Sequence, residues 1–183
     1  HNLALLTNGF VSAWAITNEF GQVTVPGGLS NVVAVAAGGR HSLALKRDGT
    51  VAAWGNNSYG QTNIPLGLSN VIAICAGSNH SVALKGDDKV VAWGLNTSGQ
   101  SSVPTDLTDF VAVAAGGAHS LGLKSDGTVI VWGYNGSRQT NVPAGLTGVT
   151  AIASGERYSL ALKGDGNIVS WGESPVPAGV TGV

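Results

Sequence analysis

The 183-residue sequence has no methionine, a single cysteine at Cys75 and only 10% charged residues. One cysteine permits neither an intramolecular disulfide nor a cysteine-based metal cluster. Nine basic residues against ten acidic ones, a net charge of -1, leave no basic stripe to neutralise nucleic-acid phosphate or anionic lipid. Charged residues fall well below the about 25% of ordinary domains, so solubility rests on Ser, Thr and Asn. No apolar run approaches the ~18 residues of a membrane span. Without a methionine, His1 is not a translation start, and the chain is read as a processed product or a piece of something longer. Helix is scarce as well: 28 glycines break every stretch long enough to hold a 3.6-residue period.

What the sequence does have is a beat. The five tryptophans stand at 14, 54, 93, 132 and 171, spaced by 40, 39, 39 and 39 residues. Gln22, Gln61, Gln100 and Gln139 keep the same step, as do Pro26, Pro65, Pro104 and Pro143, while Pro177 follows after 34. His1, His41, His80 and His119 are in phase, with Tyr158 in the fifth slot. A period near 40 built from strand-like segments is the signature of a propeller or solenoid array.

One unit, 32–70, divides into four short segments. Val32 to Ala37 is small and apolar and ends at Gly38-Gly39. His41 to Lys46 alternates and meets Asp48-Gly49, a dipeptide suited to a tight hairpin. Val51 to Gly55 is a third strand, and Gln61 to Ile64 reads as a short fourth one stopped by Pro65, which lacks the ladder donor. Four strands in about 40 residues make a propeller blade. The fold class is therefore an all-β propeller of five ~39-residue repeats, each a four-stranded antiparallel blade, in one domain over 1–183. The units are approximately 1–31, 32–70, 71–109, 110–148 and 149–183. The chain starts within a unit, so the first blade lacks one strand and about eight residues would be needed to supply it. The open edge invites pairing with another chain. A neighbouring subunit could supply the strand, the five blades could close with one defective blade, or the chain could belong to a longer array.

The run Val51-Ala52-Ala53-Trp54-Gly55, continued through Gln61 to Pro65 and then Ala76-Gly77 to Lys85, resembles the repeats of the regulator-of-chromosome-condensation family. The resemblance covers essentially the whole chain. The form of the repeat is similar to the family's bacterial branch, which includes a secreted inhibitor protein of β-lactamase that binds through loops on one face. It implies a propeller that binds protein, without fixing the partner. Family propellers usually have seven blades, whereas five repeats are present. The hairpin insertion and basic tail that go with nuclear exchange-factor activity are absent. The first copy has Trp14-Ala15 for Trp-Gly and an extra loop residue, and the last is five residues short between Trp171 and Pro177.

Function is sought where the scaffold repeats and the side chains vary. Antiparallel connectivity sends two loops per blade to one face, called the top, and the Asp-Gly hairpins and proline connections to the other. The top loops supply the candidate protein-binding residues Phe20, Arg40, Tyr59, Asn79, Tyr134, Arg138, Glu156, Arg157 and Tyr158, since Tyr, Trp and Arg dominate binding hot spots. The repeated histidines stand a blade width apart, too far to converge at about 2.0–2.2 Å on one metal ion, and are read as structural residues bonded to backbone. Ser42, Ser81, Ser120 and Ser159 lack a nucleophile elbow and an acid partner. Asp106 and Asp109, with Thr105 and Thr108, are read as turn residues rather than a cation site, and Cys75 as buried packing. Four glycosylation-type sequons start at Asn56, Asn79, Asn96 and Asn135, which would matter only in a eukaryotic secreted protein. These readings point to a non-enzymatic binding or assembly module without metal or cofactor, secreted or at the cell surface, bacterial in type. Its partner is another protein, or a second copy engaged as a homo-oligomer. A segment of a longer surface or filament protein is the alternative, and a carbohydrate-active propeller enzyme a third.

Overall fold

The computed structural model describes residues 1–105 and 107–173, and every strand in them follows the 39-residue beat. The strands are β1 (Asn2–Leu5), β2 (Val11–Trp14), β3 (Val32–Ala37), β4 (His41–Lys46), β5 (Val51–Gly55), β6 (Val71–Ala76) and β7 (His80–Lys85). Then come β8 (Val90–Gly94), β9 (Phe110–Ala115), β10 (His119–Lys124), β11 (Val129–Gly133), β12 (Val149–Ser154), β13 (Tyr158–Lys163) and β14 (Ile168–Gly172). They form five antiparallel sheets, the blades of an all-β propeller: β1-β2, β3-β4-β5, β6-β7-β8, β9-β10-β11 and β12-β13-β14. No helix among the described residues is long and apolar enough to cross a membrane.

Two expectations are refined. The first blade has one strand fewer than the rest, because β1 pairs with β2 and carries no partner on its other edge among the described residues. The blades, however, are three-stranded. The segment Gln61 to Ile64 is turn rather than a fourth strand, because side chains satisfy its backbone. Asn57 Oδ1 accepts from the Thr62 amide at 3.1 Å, and the Asn57 amide group donates to Asn63 Oδ1 at 2.7 Å. Local Asn bonding of this kind competes with a sheet ladder. The fifth repeat beyond residue 173, with Val176 and Pro177, lies outside the described residues.

Packing is between successive blades. β3, β6, β9 and β12 touch one another in turn and so lie nearest the common axis, while β4 packs on β6, β7 on β9 and β10 on β12. Alternation along each strand divides the side chains between two neighbours. Leu43 and Leu45 of the second blade meet Ala83 and Trp93 of the third. Ala44 and Trp54 look the other way, onto Leu3 and Val11 of the first. Each blade thus has a forward face of Leu and Ala and a backward face carrying its Trp. No extensive packing joins the fifth blade to the first among the described residues.

Candidate interaction face and its scaffold

The recurrent polar residues form the joints between blades. Trp93 Nε1–H donates to the backbone carbonyl of Gln61 at 2.9 Å, and Ser81 Oγ–H donates to the same oxygen at 2.8 Å. His41 Nε2 lies 3.0 Å from Ser81 Oγ. Since the serine proton is committed to the carbonyl, the imidazole must be the donor, which assigns the Nε2–H tautomer. The same joint recurs for His1 with Ser42, His80 with Ser120 and His119 with Ser159, at 2.8, 2.9 and 3.1 Å. The histidines are structural, as the sequence reading has it, yet their bond is to a serine of the next blade rather than to backbone. Burial lowers His41, His80 and His119 to about 4, so they are neutral at physiological pH.

Glycine makes the joint fit. A Cβ on Gly77 would lie 2.5 Å from the carbonyl oxygen of Gly116 on the next blade and against the His80 ring. Backbone bonds cross there, from Gly39 N–H to Gly77 O and from Gly117 N–H to Glu156 O, at 3.2 and 3.1 Å. The buried glutamines hold the top loops. Gln61 Oε1 accepts from the Tyr59 amide at 2.9 Å and its amide group donates to Asn56 Oδ1 at 2.8 Å. This clamp fixes the backbone of an otherwise exposed loop at the point from which Tyr59 projects.

The structure brings some of the candidate residues together and leaves others apart. Phe20, Arg40, Tyr59 and Asn79 come together. The Arg40 guanidinium lies over the Phe20 ring at 4.6 Å, a cation–π contact that restricts two adaptable side chains. Arg40, Tyr59 and Asn79 line one hollow with Gly39 and Ser78. A neighbouring hollow joins Arg40 and Phe20 to Glu19 and Ile16. Tyr59 is 53% exposed and Ile16 fully so. The sequence reading missed Ile16, although the extra residue in that loop was the signal that it bulges outward.

Tyr134, Arg138, Glu156, Arg157 and Tyr158 belong to the fourth and fifth blades and do not form one cluster: Glu156 lines a hollow with the glycines that end the first strands, and Tyr158 is a half-buried residue of β13. Arg157 reaches Glu173 at 3.4 Å, and Glu173 accepts from Ser137 Oγ at 2.8 Å, tying the loop of the fourth blade to the end of the fifth. Glu173, absent from the sequence-based candidates, is held below the usual carboxylate range by the Ser137 bond and then by Arg157. Tyr134 is exposed. Arg138 has φ of 62° where the equivalent Gly21, Gly60 and Gly99 have 74°, 78° and 79°. A bulky side chain in that left-handed region is strained. Tyr158 takes the histidine slot, its ring against Gly155.

The remaining candidates resolve plainly. Asp48 Oδ1 accepts from the Thr50 amide and hydroxyl at 3.0 and 2.6 Å, so the hairpin aspartate shapes its turn. Asp109 has φ of 67° at the position of Asn31 and Asn70, at 57° and 55°, the turn role that was expected; Asp106 lies outside the described residues. Burial raises the Cys75 thiol to about 12. No group of three or more His, Cys, Asp or Glu positioned to hold a metal occurs among the described residues.

The joints and the three-stranded blades define a repeat propeller, a scaffold that presents loops on its faces. The regulator of chromosome condensation (RCC1) repeat model matches residues 32–61, 71–100 and 110–139, and the chain belongs to this family of RCC1-repeat propellers. No curated protein sequence matches it significantly. Among solved structures it is similar to yeast RCC1 (Prp20) bound to Kap60, with 27% identity and a TM-score of 0.68 over 77% of this chain and 43% of that one. It is similar to Prp20p of Saccharomyces cerevisiae, described with its binding properties to Gsp1p and histones, at 26% identity and a TM-score of 0.66, covering 77% of this chain and 44% of that one. The ectodomain of the Physcomitrella patens receptor kinase CR4 matches at 25% identity and a TM-score of 0.81, over 97% of this chain and 51% of the other. The chain thus spans about half the length of these relatives.

Proposed function

We propose that the chain is a non-enzymatic protein-binding module whose partner docks on the top face across Phe20, Arg40, Tyr59 and Asn79. The observation that carries this reading is the stacked Arg40–Phe20 pair beside an exposed, clamped Tyr59. Preformed aromatic and Arg side chains lose little freedom on binding. The propeller relatives that bind Kap60, Gsp1p and histones support a protein as the ligand class. Tyr134, Arg138 and the Arg157–Glu173 pair extend the surface toward the fifth blade. The reading includes a secreted or cell-surface location in a bacterium.

A photo-crosslinking residue at position 59, with a control at Leu66, which is fully exposed in a proline connection of the opposite face, tests the reading. Incubated with the proteins of the source culture, the chain is expected to capture a defined partner from position 59 and not from position 66. The Arg40→Ala/Tyr59→Ala variant should lower that capture by about tenfold or more, in keeping with hot-spot losses, at an unchanged melting temperature. Capture from position 66 alone, or capture indifferent to the double variant, would overturn it.

A further inference from the structure

Arg40 carries a charge that the described residues leave without a counter-ion. The ion pairs among them use Lys46, Lys85, Lys89, Arg157 and Lys163; Glu19 borders a hollow with Arg40 yet makes no ion pair with it. Stacking on Phe20 at 4.6 Å occupies one flat side of the guanidinium and leaves the N–H groups in its plane to other acceptors. Arg40 also lines, with Tyr59, Asn79, Gly39 and Ser78, a hollow of about 310 Å³ between the second and third blades, at the small end of ligand-sized hollows. No carboxylate lines it. Tyr59 and Asn79 bond to the scaffold through backbone groups, the amide of one and the carbonyl of the other, which leaves the hydroxyl and the side-chain amide open to a ligand.

The repeat itself shows what an arginine in this slot binds. Arg157 precedes Tyr158 in the fifth blade as Arg40 precedes His41 in the second. Arg157 lies 3.4 Å from one oxygen of the Glu173 carboxylate, and Ser137 Oγ–H donates to the other at 2.8 Å. Glu173 follows Trp171-Gly172, and the residue that follows Trp54-Gly55 in the second blade is Asn56, which is uncharged and committed to the Gln61 clamp. The chain supplies a carboxylate to one arginine and none to the other. One joint further on, Arg40, Tyr59 and Asn79 are replaced by Asn79, Ser98 and Ala118, a set with no cation.

We propose that this hollow seats an acidic side chain, Asp or Glu, of the docked protein, its carboxylate bonded by the Arg40 guanidinium and receiving the Tyr59 hydroxyl and the Asn79 amide. The inference rests on the top-face reading above and names the chemistry the partner presents there. A lone guanidinium matches the single charge of a carboxylate and can bond both its oxygens, whereas phosphate recognition draws on clustered arginines. A chain-terminal carboxylate is captured by nests of backbone amides, and here the Gly39 and Ser78 amides are already given to the Gly77 and Gly117 carbonyls, at 3.2 and 3.3 Å. A side-chain carboxylate is the anion that remains.

The probe is the blocked tripeptide acetyl-Gly-Glu-Gly-amide, titrated into the isotope-labelled chain while NMR follows the Arg40 Nε–H and the Asn79 side-chain amide. Saturable shifts are expected with a Kd of about 1 mM, the scale of a single anchor. The uncharged acetyl-Gly-Gln-Gly-amide should bind the chain about tenfold or more weakly, and Arg40→Gln, followed at Asn79, should weaken the glutamate peptide as much. Tyr59→Phe should cost roughly threefold to tenfold, and Lys89→Gln, which removes an exposed cation of the opposite face, should cost nothing. No shift, a glutamine peptide that binds equally well, or equal losses in Arg40→Gln and Lys89→Gln would overturn the proposal. So would binding about tenfold tighter by the matching phosphoserine or free-carboxyl-terminus peptide, which assigns the hollow to that group. Capture from position 59 with an inert glutamate peptide overturns this inference and leaves the docking reading standing, whereas absence of capture overturns both.

Discussion

His80 has one hydrogen bond that matters, and its geometry makes the protein acid-sensitive. The ring donates from Nε2 to Ser120 while Nδ1 is buried without a partner among the described residues. A second proton on that buried nitrogen has no acceptor among the described residues. With burial holding His41, His80 and His119 at about 4 against an unfolded value of about 6.5, the unfolded chain binds more protons between those limits. Stability is then fully present above about pH 6.5 and falls as pH drops toward 4, by about 3 kcal/mol for each of the three residues. Urea midpoints at neutral and mildly acid pH should show the decline, and His80→Gln, less stable at neutral pH, should show a shallower one. Arg138 makes the opposite case, a residue that strains the fold. Arg138→Gly relieves a left-handed backbone at a cost in unfolded-state entropy, for a net gain of about 0.5 kcal/mol. Thermal melts should detect that gain, together with weaker partner capture if Arg138 lies in the contact.

At the level of the strand, the tryptophan is the measure of whether a blade has a neighbour. Trp93 is buried and donates its N–H to Gln61, whereas Trp14 occupies the same register in β2 with half its surface exposed. Trp93→Ala should destabilise by about 3–5 kcal/mol and Trp14→Ala by less than about 1 kcal/mol; chemical denaturation of the two variants gives the comparison. The sequence pattern makes these residues equal, and only the neighbour separates them. The strands themselves were legible because alternation and Asp-Gly turns act within a few residues. Gln61 to Ile64 was misread for the same reason. Its composition suits a short edge strand, but the decision between ladder and turn lay with the Asn57 side chain bonding to Thr62 and Asn63.

Across the whole molecule, stability is a sum of blades and of joints between them. A joint draws on three places in the chain: His41, Ser81 and the Gln61 carbonyl, for example, meet at one oxygen. Such a network couples neighbouring blades, so the loops above it are carried on a rigid frame. The frame is continuous from the first blade to the fifth, and the top-face groups it carries are separate: Arg40 with Phe20 near one end, Arg157 with Glu173 near the other. A partner that engages both must span the arc. A partner that engages one leaves the other free.

The 39-residue period by itself determined the repeat, the all-β class, the turn role of the hairpin aspartates and the short first blade, because each follows from local spacing and backbone preference. The same period pointed to His, Ser, Gln and Trp as structural without saying what they bind. That was decided by tertiary structure, since the acceptor of each buried Trp lies 32 residues away in the chain and that of each joint Ser 20, and they touch only when blades stack. The grouping of Arg40 with Phe20, the tie from Arg157 through Glu173 to Ser137, and the exposure of Trp14 were decided there too. They depend on which faces meet in space, and a sequence that repeats the same faces five times does not distinguish the covered ones from the open ones.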